Sequence, residues 1–124
     1  MKSLIDKLGV KSNSKVSVLG VTDESFWRQL KERTTNISKD KLRADSDLIF
    51  LLVGSKEDLK QLGSLQWFIK RSGVIWVIAP KGKQRIKQGD IMTASRKSGL
   101  VDMKVVSFSE THTALKLVIP LARR

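Results

Sequence analysis

Two runs of six apolar residues dominate the hydrophobic pattern of this chain: Leu48 to Val53 (LIFLLV) and Val74 to Ala79 (VIWVIA). A strand apolar on both faces belongs inside a sheet covered by helices on either side, which is the condition of parallel sheets. A shorter β run, Val16 to Leu19, ends at Gly20. Helical spacing occupies the intervals between these runs. Ser3 is placed to cap a short helix, Leu4 to Leu8, that stops at Gly9. Thr22 and Asp23 are N-cap candidates for a helix reaching about Arg33, with Phe26, Trp27 and Leu30 on one face. Residues 34–47 are polar and predict irregular chain or, at most, a short edge strand over Thr35 to Ser38. Gly54 and Ser55 open a further helix with Lys56, Glu57 and Asp58 in its first turn. Leu62, Leu65 and Ile69 share its apolar side, and Gly73 ends it. A basic loop, Lys81 to Lys87, leads to a weaker helix from about Gln88 to Ser98, stopped by Gly99. Met103 to Phe108 and Thr113 to Ile119 read as two strands joined by the four residues Ser109 to His112. That connection is long enough for an antiparallel hairpin and far too short for a crossover helix.

Strand, helix, strand, helix, strand implies parallel pairing with right-handed crossovers, and the closing hairpin adds an antiparallel pair at one edge. The expected fold is therefore α/β: a three-layer Rossmann-like sheet, mostly parallel, in a shortened class I methyltransferase-like topology. The 124 residues make one domain, 1–124, with a short N-terminal helix within 1–10.

Four segments carry a resemblance in addition: KLGVKSNSKVSVLG (Lys7 to Gly20), GVIWVIAPKG (Gly73 to Gly82), GLVDMKVV (Gly99 to Val106) and ETHTALKLV (Glu110 to Val118). Together they resemble a small family of uncharacterised bacterial domain proteins. The resemblance implies a truncated Rossmann-like, methyltransferase-like domain with no established activity. The chain departs from the family pattern at Ala79 and His112, where that pattern carries aromatic residues.

Composition narrows the chemistry. No cysteine is present, which excludes disulfides, thiolate catalysis and thiolate metal sites. With one histidine, a His-ligated metal or a His-driven triad is not expected. No stretch approaches the ~20 apolar residues of a membrane span, and Met1 to Val10 lacks the apolar core of a signal peptide, so a cytoplasmic protein is expected. The 24 Lys and Arg against 12 Asp and Glu leave a net charge of +12, which points to anionic company.

Candidate chemistry is sparse. A dinucleotide fingerprint needs three glycines after the first strand; Gly20-Val21-Thr22-Asp23 supplies one. Val21 and Asp23 are expected to crowd the backbone approach, and Asp23 to repel a phosphate. The ribose-binding acid, about 20 residues further on, falls near Asp40 in the irregular segment. No cofactor is therefore predicted, S-adenosylmethionine and nucleotides being minor alternatives. Asp45 and Asp47 precede a strand, at the wrong end of the sheet for a ligand, and read as turn caps. His112 reads as a solvated turn residue. The basic loop is the one feature whose place and chemistry agree: Lys81, Lys83, Arg85 and Lys87 follow the carboxyl end of a central strand, with Gly82 to let the loop bend. Thr22 and Ser55, at helix N-termini, complete an anion site in this reading. Trp67 lies opposite the apolar side of its helix; it is a candidate partner or homodimer contact, weighed against folding back beneath a loop. The leading expectation is a non-catalytic module binding an anionic ligand or partner. The rivals are a minimal methyltransferase-like enzyme without the Gly-rich loop and a non-specific nucleic-acid-binding protein.

Overall fold

The computed structural model describes residues 2–82 and 86–124. Its elements are α1 (Leu4–Lys7), β1 (Val16–Leu19), α2 (Glu24–Arg33), β2 (Ile37–Lys39), β3 (Ser46–Leu52), α3 (Leu62–Leu65), β4 (Ile69–Pro80), α4 (Gln88–Lys97), β5 (Val101–Ser107) and β6 (His112–Val118). Short 3-10 turns flank α3 over Lys56–Gln61 and Gln66–Phe68, and another closes the chain at Leu121–Arg123. The six strands form one sheet in the order β2-β1-β3-β4-β6-β5. The pairs β1–β2, β1–β3 and β3–β4 are parallel, while β4–β6 and β5–β6 are antiparallel. This is the Rossmann-like architecture expected from the element order.

The two apolar hexamers behave as their composition requires. Leu48 to Leu52 run beside Val74 to Ile78 in the same direction, residue for residue. Alternate side chains enter opposite cores. Phe50, Trp76 and Ile78 pack with Val16, Val18, Phe26 and Leu30 under α1 and α2. Ile49, Leu51, Ile75 and Val77 pack with Leu59, Leu62, Leu65 and Ile91 under α3 and α4. Removing such a side chain from water contributes about 1.5–3 kcal/mol, and the parallel strands collect it on both faces. The Trp76 indole N–H also donates to the Leu8 carbonyl at 2.9 Å and fastens α1 to the sheet.

Three local expectations are corrected. The helix expected from Ser55 to Gly73 is only four residues of α3 between two 3-10 turns, with Gly63 and Ser64 inside it. Ile69, assigned to that helix, instead begins β4 opposite Ser46. Strand β4 then bulges before Leu48 and Val74 come into register. Gly73 is required in that bulge: a Cβ there would stand 3.0 Å from the Lys70 carbonyl oxygen and 3.2 Å from that of Asp47. Secondly, the edge strand anticipated at Thr35 to Ser38 lies at Ile37–Lys39, parallel to β1. The rest of 34–47 is held by polar contacts. The Arg43 guanidinium donates to the Asn36 side chain at 2.7 Å and to its carbonyl at 2.9 Å, and the buried hydroxyls of Ser17 and Ser46 meet at 2.9 Å. Thirdly, His112 opens β6 opposite Pro80 instead of sitting in the turn.

Candidate functional site

Strands β1 and β2 run from the middle of the sheet toward one edge, and β3 then crosses back to the other side of β1. The carboxyl ends of β1 and β3 therefore flank the topological switch point, where open α/β sheets form a ligand crevice. Gly20 follows β1 with φ +80°, a left-handed conformation that a side chain would strain. Asp40 follows β2, also left-handed at φ 54°. The two meet: the Gly20 N–H donates to Asp40 Oδ1 at 2.8 Å. A carboxylate at the tip of the strand beside the first glycine turn is what the 20-residue spacing suggested, and the parallel pairing of β1 with β2 puts it there.

The crowding expected at Val21 and Asp23 does not occur. Val21 is buried in the core beneath α2. Asp23 turns its carboxylate onto the Phe26 N–H at 2.9 Å as the N-cap of α2. Beside β3, Asp58 does the same for the next segment, accepting from Gly54 N at 2.8 Å and Ser55 N at 3.2 Å. Three aspartates thus stand at the carboxyl ends of β1, β2 and β3. Asp58 was passed over in the sequence because it reads as an ordinary first-turn acid; only the contact with Gly54 shows that it also seals the strand end.

These carboxylates occupy two of the helix starts assigned to the expected anion site. The amides at Ser55 are taken by Asp58, the α2 N-terminus above the exposed Thr22 is taken by Asp23, and an anion there would meet negative charge. The basic loop does leave from the carboxyl end of β4, as expected, but Lys81 turns away from the switch point and donates to Ser107 Oγ on β5 at 2.8 Å. Lys87 precedes α4 with its amide donated to Asp90 Oδ2 at 2.9 Å. Gly82 is exposed beside a pocket of about 210 Å³ that Ala79, Ile86 and Lys87 also line. Lys83 and Arg85 lie outside the described residues. Among the described residues, Lys81 is bonded to β5, while Asp90 links the Lys87 amide to Lys56 beside Ser55. Asp47 is a structural acid at the amino end of β3: burial works against its charge, yet the Lys15 amide at 2.8 Å and Lys70 at 3.0 Å hold its carboxyl below the usual range. Trp67 is 75% exposed, so the alternative that it folds beneath a loop is excluded. His112 Nδ1 lies 2.8 Å from Thr111 Oγ1, partly buried at the same end of the sheet. Among the described residues no group of three or more acidic or His side chains is arranged for a metal, and no helix is long and apolar enough to cross a membrane.

No family model and no curated protein sequence matches the chain, so the resemblance to a small bacterial family gains no support beyond its fold. Solved structures do match. A putative methyltransferase from Thermoplasma acidophilum superposes with a TM-score of 0.67 at 12% identity, over 92% of this chain and 71% of that one. A SAM-dependent methyltransferase from Aquifex aeolicus gives 0.63 at 13% identity, over 94% and 88%. Magnesium protoporphyrin IX methyltransferase from Synechocystis, with bound SAH, gives 0.61 at 13% identity, over 94% and 78%. These neighbours overturn the leading expectation of a non-catalytic anion-binding module. The chain has the Rossmann-like fold of S-adenosylmethionine-dependent methyltransferases.

Proposed function

We propose that this chain is a small S-adenosylmethionine-binding domain of the methyltransferase type, with its cofactor crevice at Gly20 and Asp40. The observation that carries this reading is the Asp40 carboxylate fixed at the tip of β2 against the Gly20 amide. A carboxylate in that place is suited to the vicinal hydroxyls of a ribose, which donate to it in pairs. Asp40 is exposed, and only its Oδ1 is engaged with Gly20, so acceptor capacity remains for a sugar.

Charge separates this ligand from a dinucleotide. S-adenosylmethionine carries a sulfonium and an ammonium cation beside a single carboxylate, a net positive charge, and no phosphate. The three strand tips carry Asp23, Asp40 and Asp58, which favour the former ligand and oppose a pyrophosphate. Gly20 provides close backbone approach without the second and third glycines, because Val21 and Asp23 are turned away from the crevice. When bound, S-adenosylmethionine supplies an electrophilic methyl group; Asp40 would hold the ribose hydroxyls, and the Gly20 turn would let the ligand approach the main chain.

Thermal shift and calorimetry test this with S-adenosylmethionine, S-adenosylhomocysteine and NAD. Ligand at about a hundred times its Kd stabilises the folded state by roughly 2.7 kcal/mol, a rise of several degrees. That rise is expected with the first two ligands and not with NAD. Asp40→Asn keeps a residue type that tolerates the left-handed backbone and removes the charge; it is expected to weaken binding about tenfold or more. No shift with saturating S-adenosylmethionine, or binding indifferent to Asp40→Asn, would refute the assignment.

A further inference from the structure

On the α1 face of the sheet, away from Gly20 and Asp40 and toward the amino ends of the strands, lies a groove of about 440 Å³. One wall is the end of α1 and the following loop, with Lys7 and Lys11; the floor is the sheet itself, with Trp76, Lys116 and Lys104. The floor has an unusual feature. Phe50, Trp76, Lys116 and Lys104 are successive cross-strand neighbours on β3, β4, β6 and β5, so the two lysines stand directly opposite each other on one face. Like charges in that relation are destabilising. The ammonium groups of Lys7, Lys11, Lys104 and Lys116 make no ion pair or hydrogen bond among the described residues, and Lys11 bonds to Ser14 Oγ only through its amide. The two acids in the lining are already engaged, Asp6 with Arg33 at 2.7 Å and Asp47 with Lys70 at 3.0 Å. Each of these carboxylates has a cation beside it, Arg33 or Lys70, that does not line the groove, so the four lysines are the excess charge of the lining.

We propose that this groove binds the phosphodiester backbone of a single nucleic-acid strand, whose successive phosphates lie against Lys7 and Lys11 on one side and Lys116 and Lys104 on the other. The shape selects this polyanion. Lys116 is half-buried on the floor beside Trp76, beneath the level of α1, where a flat lipid surface does not reach and a flexible strand does. The cations are distributed over α1, a loop and two strands, a spread that suits a chain of phosphates better than one small anion. A phosphate between Lys104 and Lys116 also removes their mutual repulsion, which gives the pair a reason to stand where it does. The site is independent of the cofactor crevice, and either can fail without the other.

The test is fluorescence anisotropy with a labelled single-stranded oligouridylate at several salt concentrations. Wild type is expected to bind at low salt. The double variant Lys104→Gln/Lys116→Gln is expected to lose affinity on the order of tenfold at about 0.1 M salt and to flatten the log–log salt slope by about 1.4, two contacts at about 0.7 each. A control of equal charge, Lys60→Gln/Lys97→Gln, alters the opposite face of the sheet and is expected to cost no more than about twofold by net charge alone. The melting temperature of the first double variant should hold or rise, because a repulsive pair has been removed. Equal losses in the two double variants would reduce the effect to overall charge and overturn the site. So would the absence of wild-type binding, a fall of several degrees in the melting temperature of Lys104→Gln/Lys116→Gln, or sensitivity of that variant toward phosphatidylserine vesicles alone.

Discussion

The two ends of this sheet are built from the same strands and put their charged side chains to different uses. At the carboxyl ends, Asp23, Asp40 and Asp58 each accept from backbone N–H groups: the N-cap of α2, the Gly20 turn, and the amides of Gly54 and Ser55. Toward the amino ends, Lys7, Lys11, Lys104 and Lys116 surround a groove whose own acids are paired elsewhere. Carboxylates at strand tips follow from chain geometry, since each tip opens into a turn or helix start with free donors. Nothing in the geometry of a sheet calls for Lys104 opposite Lys116. The contrast teaches that in a strongly basic protein a pair of like charges without a local structural purpose, Lys104 opposite Lys116, is as informative as a carboxylate held at a strand tip.

The largest perturbation of this contrast is expected at Trp76, which is fully buried and ties α1 over the amino-end groove. Trp76→Ala should cost about 3–5 kcal/mol in urea unfolding. At temperatures where the variant remains folded, it should loosen the wall bearing Lys7 and weaken oligonucleotide binding more than the response to S-adenosylmethionine. Gly73→Ala, in the β4 bulge, forces a methyl group against two carbonyl oxygens and is expected to lower stability by about 1–3 kcal/mol, read as a lower urea midpoint with an unchanged slope. The smallest effect belongs to Asp47. Its carboxyl titrates below its ordinary value of 3.8 in the folded state, so its contribution is present above that pH and is lost as the pH falls through the lowered folded value. Asp47→Asn should therefore cost under about 1 kcal/mol at neutral pH and converge with wild type in acid, measured by urea midpoints across pH 2 to 7.

Much of this was legible along the chain. LIFLLV and VIWVIA declare parallel, doubly covered strands by composition alone, and the four-residue link before β6 forces the hairpin. Ser3 and Asp23 cap the helices they precede. What failed did so for identifiable reasons. Ile69 has the spacing of a helix face, but the pairing of β4 with Ser46 claims it for the sheet, and no local periodicity reports a partner more than 20 residues away. Val21 and Asp23 looked obstructive because a sequence does not say which way a turn's side chains point. Asp40 had the right spacing from Gly20 but stood in a polar stretch with no regular signal, since β2 is an edge strand of three residues stabilised by Arg43 and its neighbours.

The amino-acid sequence by itself determined the layers, the direction of the central strands and the positive charge, because burial on two faces and loop length are local properties. The tertiary structure alone decided which charges meet. Asp40 reaches Gly20 only through the parallel pairing of β2 with β1, and Lys104 faces Lys116 only through the register of the final hairpin, which the irregularity between Asp102 and Lys104 resets. Shifting that register by one residue would turn one of the two lysines to the opposite face of the sheet.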